Sequence, residues 1–158
     1  MLSHRSSSGF TLIELIVIMI MLGVLAVVAV PKMNSAMSFR ALEFRDQTIT
    51  ALRFAQKTAT SHRRLVCVAF TSGSVTLTID HDHSGACDSQ ALLIPGSSSN
   101  SVQGTDSNAV FAVTPATLYF QPNGQGTDAA GNIVTINATI DGMAVYVAGA
   151  TGYVGDAP

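Results

Sequence analysis

From Phe10 to Val30 the chain is apolar at every position except Thr11, Glu14 and Gly23. As a helix these 21 residues would run about 31 Å at ~1.5 Å per residue, enough to cross ~30 Å of hydrocarbon. Glu14 is the only charge in the run. A carboxylate inside a membrane segment costs roughly 2.5 kcal/mol or more, so it needs a partner and marks a functional candidate. Gly23 and Pro31 weaken a helix by ~1 and ~3 kcal/mol, so a bend or an unwound stretch is expected between them.

Beyond Pro31 the pattern becomes helical and amphipathic as far as Arg64. Met37, Ala41, Phe44, Thr48, Ala51, Leu52, Ala55 and Ala59 recur at spacings of three and four and share one stripe. Its alanines allow a second layer to approach closely. The opposite face carries Phe39, Leu42, Asp46, Ile49, Arg53 and Lys57, either solvated or in contact with other subunits. From Leu65 the period falls to two. Residues 65–70 and 75–79 read as a hairpin around Ser72-Gly73, and 92–94 as a short strand or a loop end. Residues 95–108 read as a polar loop. Residues 109–113 and 117–121 are further strands, followed by a turn over 122–126. Asp141-Gly142, between strands 132–140 and 143–148, is the strongest hairpin signal, and Tyr153-Val154 closes the sheet. The fold class is α+β: a long N-terminal helix, its first half membrane-spanning, followed by an antiparallel β-sheet domain.

Composition changes the picture in one respect. The net charge of −2 hides an asymmetry, since residues 1–64 carry all eight Lys and Arg, and residues 65–158 carry seven Asp and neither Lys nor Arg. The C-terminal part is therefore a poor phosphate-binding surface. No G-x-S-x-G, H-E-x-x-H or P-loop occurs. The chain reads as a non-enzyme.

Gly9-Phe10-Thr11-Leu12-Ile13-Glu14 follows a short polar leader and opens the apolar run. This combination resembles the processing site of type IV pilins and of the pseudopilins of type II secretion. The strand-rich second half, with Phe120-Gln121-Pro122-Asn123-Gly124, is similar to the GspH/FimT branch, which includes MSHA-type minor pilins. The resemblance implies a pilin-like fold, cleavage by prepilin peptidase between Gly9 and Phe10, and methylation of the new N-terminus. It implies a leader over 1–9, a transmembrane and filament-core helix over 10–31, its amphipathic continuation over 32–64 and a periplasmic β domain over 65–158. It places the chain in the inner membrane, single-pass, and then in a periplasmic or extracellular filament. The partners implied are other major and minor pilin or pseudopilin subunits, prepilin peptidase and inner-membrane lipid. It gives Glu14 an assembly role, neutralising the N-terminal amine of a neighbour in low dielectric. In that branch some members bind DNA through basic C-terminal residues. Here Gly152-Tyr153 stands where Gly-Arg is expected, which argues against nucleic acid as a partner.

With a periplasmic location, the even count of Cys67 and Cys87 suggests a disulfide, worth ~3 kcal/mol for a loop of this length. Two free thiols are the alternative. Asp80, Asp82 and Ser84 have the spacing of the first oxygen ligands of a calcium loop, with Gly85 at the turn and Asp88 as a later ligand. The bidentate Glu of a complete loop is absent, because Ala91 holds that position, so any calcium site is weak and no other cofactor is implied. Zinc held by His81, His83 and Cys87 is a further alternative that a disulfide would preclude. Arg53, Lys57, Arg63 and Arg64 could meet nucleic acid or anionic lipid, or simply favour a helix C-terminus. Three functions stand: a minor pilin or pseudopilin at or near a filament tip, a DNA-binding minor pilin for natural transformation, and a membrane-anchored periplasmic metal-binding module. The choice among a type IV pilus, an MSHA-type pilus and type II secretion is not legible in the residues.

Overall fold

The computed structural model describes residues 11–87 and 90–156, without the side chains of 27–38. Helix α1 is Leu12–His62. Eight strands follow: β1 Val66–Thr71, β2 Ser74–Ile79, β3 Ser101–Gln103, β4 Leu118–Phe120, β5 Gly126–Thr127, β6 Ile136–Ile140, β7 Met143–Ala148 and β8 Tyr153–Gly155. They form two antiparallel sheets, one in the order β3-β2-β1-β4-β5 and one in the order β6-β7-β8. The chain divides into two compact units, residues 1–36 and 37–158. The α+β reading, a long N-terminal helix followed by antiparallel strands, holds.

In the first unit α1 is helical through Gly23 and onward through Pro31, so the unwinding expected between them is not seen. Among the described residues no helix is long and apolar enough to cross a membrane. The expected span runs past the described side chains at both ends.

In the second unit the Ala-rich stripe of α1 is the buried face. Ala41, Thr48, Ala51, Leu52, Ala55 and Ala59 are fully buried and Phe44 nearly so. They join Val66, Val68, Val75, Leu77, Leu118 and Phe120 of the larger sheet, and Ile140, Val145 and Val147 of the smaller, in one core. Strand alternation accounts for the sheet side: Val75 and Leu77 point inward from β2, while Ile136, Ala138 and Ile140 do so from β6. Phe44 and Phe70 each meet Phe111 edge-on at 5.7 Å, contacts worth ~0.5–1.5 kcal/mol beyond burial. Phe39 is exposed and Leu42 partly so, but Ile49 is buried, so it does not belong to the outer face. Arg45 and Arg53, one turn to either side of it, reach the smaller sheet.

Several strand expectations need correction. The polar stretch 95–108 contains β3, whose Val102 is buried beside Val75. Residues 109–113 are not a strand and make only an isolated bridge, Phe111 to Ile140. Residues 92–94, read as a short strand or a loop end, are the loop end, and Ala91 before them bridges to Thr78. The Asp141-Gly142 hairpin is as expected. Both residues have positive φ, 48° and 76°, as a type I′ turn requires.

The sheets and helix meet at two turns. Gly124, at φ 90°, lies against Gln56 and Thr60 of α1. Gly152, at φ 68°, lies so close to the Gly124 carbonyl that a Cβ built there would stand 2.0 Å from its oxygen. The Phe-x-Pro-x-Gly turn and the glycine at 152 thus form one three-way junction with the helix. Gly131 supplies the control, because it has a comparable φ of 87° and nothing within 4 Å of a Cβ. Gly131→Ala should cost only the left-handed backbone term, about 1–2 kcal/mol. Gly152→Ala should cost about 3 kcal/mol or more, because the clash with backbone adds to it. Urea unfolding of the two variants gives the comparison, and equal losses would show that the junction is not tightly packed.

Candidate functional site

The start of α1 is the first site. Thr11 caps the helix: the Glu14 N–H reaches the Thr11 carbonyl at 3.1 Å and its Oγ1 at 3.4 Å. Thr-x-x-Glu has the spacing of a capping box, and Glu14 sits in the first turn, where the helix dipole favours an anion. A local helix-start role therefore accompanies any assembly role for this carboxylate. Behind it, every large apolar side chain from Leu12 to Leu25 is exposed, from 43% at Ile16 to 78% at Leu12. Gly9 and Phe10 lie outside the described residues.

The second site is the loop after β2. Cys67 and Cys87 are disulfide-bonded, with Cα atoms 6.0 Å apart, and the bond ties this loop to β1. This removes the thiolate that a zinc site would need. Asp80 is 3% exposed, and the loop folds around its carboxylate. Oδ2 accepts the Gly85 N–H at 2.8 Å, and Oδ1 accepts the Ser84 N–H at 3.1 Å and the Ser84 hydroxyl at 3.3 Å. Asp82 Oδ1 also accepts the Ser84 N–H, at 3.2 Å. Oxygens that calcium would use are thus aimed at the protein's own donors, which counts against the calcium reading. Asp88 lies outside the described residues. Among the described residues no three of His, Cys, Asp and Glu are placed to hold a metal ion. Burial works to raise the Asp80 carboxyl, but the Gly85 and Ser84 hydrogen bonds outweigh it and hold the group below its usual range. Asp128 is held low by the side chain and N–H of Asn132, against a smaller opposing effect of burial.

The four cations singled out in the sequence divide between carbonyl contacts and solvent. Arg53 Nε donates to the Val154 carbonyl at 3.0 Å, and Arg64 donates to the carbonyls of Asp80, at 3.3 Å, and His81. Arg45, which sequence reasoning missed, donates to the Ala144 carbonyl at 3.0 Å and pairs with Asp46 and Asp156. Arg45 and Arg53 thus clasp β7 and β8 to α1. Their spacing of eight, two helical turns, was the available signal. Lys57 and Arg63 are exposed.

Asp80 gives a pH prediction. Its folded pKa lies below the ordinary carboxylate value of ~3.9, so its contribution is full above that value and is lost as pH falls through the folded pKa. Asp128 acts in the same sense. Asp80→Asn should lower the melting temperature at pH 7, and the gap to the unmodified chain should close below about pH 4. A gap that does not vary with pH would assign the loss to shape alone.

Residues 4–30 match the prokaryotic N-terminal methylation motif, and residues 46–152 match the type II transport protein GspH. No curated protein is a significant match. Among solved structures, the type IV minor pilin FimU of Pseudomonas aeruginosa is similar at 16% identity, over 79% of this chain and 90% of that one, with a TM-score of 0.47. A likeness at that level carries no argument here. The match over residues 46–152 spans most of the chain and takes in β1 to β7 and the glycine junction. The chain belongs to the GspH family of type II transport proteins and carries the N-terminal methylation motif of that class.

Proposed function

We propose that this chain is a minor pilin or pseudopilin subunit that passes from the inner membrane into a filament of the type IV pilus or type II secretion class, at or near its tip. One observation carries this reading. Fourteen consecutive residues, Leu12 to Leu25, present no large apolar side chain that is covered, while further along the same helix Phe44, Ile49 and Leu52 are buried in the core. Exposed apolar surface on that scale needs lipid or other apolar helices around it. A subunit that resides first in a bilayer and then in a helical bundle supplies both.

In this reading residues 1–9 are a leader removed by prepilin peptidase, 10–31 the anchor, 32–64 its continuation and 65–158 the periplasmic part. The role is structural, not catalytic. Glu14, capped in the first turn, becomes the partner of a neighbour's N-terminal amine once that amine is freed at Phe10. The lack of any Lys or Arg beyond Arg64 disfavours a nucleic-acid role.

Two outcomes follow. Protein from native membranes with active prepilin peptidase should begin at N-methylated Phe10. An intact Met1 terminus in mass spectrometry would overturn the reading. Glu14→Leu should insert and be processed normally, since it removes a charge that opposes burial. Its recovery in sheared filaments should fall by about tenfold, because the neighbour's amine loses a counter-charge in low dielectric. Recovery equal to the unmodified chain would deny Glu14 a part in register.

A further inference from the structure

Helix α1 closes with the N–H of Arg64 on the Ala59 carbonyl, 3.1 Å, and with Arg63 left-handed at φ 52°. Glycine is the usual occupant of this position, because a Cβ is disfavoured there. The chain keeps an arginine instead. Its side chain is exposed and, among the described residues, makes no hydrogen bond or ion pair that would explain it. Disfavoured backbone of this kind clusters at ligand clamps and other functional sites.

Arg63 lines a cavity of about 250 Å³ together with Arg64, His83, Gln121 and Pro122. Arg64 is held in place by the carbonyls of Asp80 and His81, which occupy only one of its nitrogens. A guanidinium has five N–H donors, so others remain for a ligand. His83, also left-handed at φ 62°, is a further lining residue. Asp80 forms part of the wall, but its carboxylate is taken by the N–H groups of Ser84 and Gly85. Its lining therefore holds two arginines and a histidine, and the carboxylate of Asp80, the one acid in it, is committed to its own loop.

We propose that this cavity is a carboxylate-binding site. A compact anion fits it, and a planar carboxylate matches the guanidinium fork. A nucleic acid does not, because its backbone needs cations in series. Beyond Arg64 the chain offers seven Asp and no Lys or Arg, with Asp82 exposed close by. The site stands on this geometry alone. That the carboxylate belongs to an acidic side chain of an adjoining subunit rests on the pilin reading.

The test is titration of the full-length chain in detergent micelles, following the side-chain NMR signals of Arg63, Arg64 and His83. Acetate should give saturable shifts below about 100 mM, and a blocked Asp-containing peptide should do the same. Tighter binding of the peptide assigns the ligand to a protein side chain, and tighter binding of acetate to a free carboxylate. Both results support the site. Arg63→Gly should weaken acetate binding by at least about tenfold while raising the melting temperature, since it relieves the left-handed backbone. Absence of saturable shifts, unchanged binding in Arg63→Gly, a lowered melting temperature in that variant, or a preference for inorganic phosphate or duplex DNA over acetate would each overturn the proposal. No filament is used, so failure here leaves the pilin reading untouched.

Discussion

The second unit depends on the close approach of its helix. Ala41, Ala51, Ala55 and Ala59 are fully buried because nothing larger than a methyl group separates the α1 backbone from what covers it. Two sheets, not one, lean on that stripe. They touch each other directly through few bonds, such as the Gly126 N–H on the Gly149 carbonyl at 2.8 Å. The helix supplies the rest: the core stripe, the Arg45 and Arg53 clasps on the smaller sheet, and the seat for Gly124 and Gly152. A larger residue at Ala55 would push on both sheets together, and in a core packed to crystalline density that displacement has nowhere to go.

Much of this was legible because it rests on local periodicity. The three-and-four spacing of Ala41, Phe44, Ala51, Leu52, Ala55 and Ala59 gave the buried face residue by residue, and Asp141-Gly142 gave the hairpin and its register. Ile49 misled because it joins the core from a helix face that its spacing sets apart from the Ala-rich stripe. β3 and β5 were missed because strands of three and two residues carry too little alternation to stand out from polar loop. The calcium spacing at Asp80 misled for a physical reason. A carboxylate followed by Ser84 and Gly85 can wrap a cation or accept its own loop's N–H groups, and the spacing is the same for both. The two cysteines were legible as a pair, whereas the glycines at 124 and 152 gained their shared meaning only once the chain brought them together.

The two units pose opposite problems. Residues 41–59 of α1 satisfy themselves within the chain, and residues 12–25 do not. A helix that leaves one stretch uncovered must find that cover elsewhere, and the choice between lipid and protein decides where the molecule resides. In lipid the apolar side chains gain nothing by leaving, so transfer to a filament has to be driven by packing and by polar pairing. Glu14 is the one charged group in the stretch able to supply the second, and it sits in the first helical turn, where the helix dipole favours an anion.

The central claim is that the cover becomes other pilin helices. The direct measurement places a photo-crosslinking amino acid at Ile18, in cells that assemble the filament, and identifies the adducts by mass spectrometry. The account predicts adducts to the apolar N-terminal helices of neighbouring subunits, recovered with sheared filaments. Adducts to lipid alone, with all of the chain left in the membrane fraction, would contradict it.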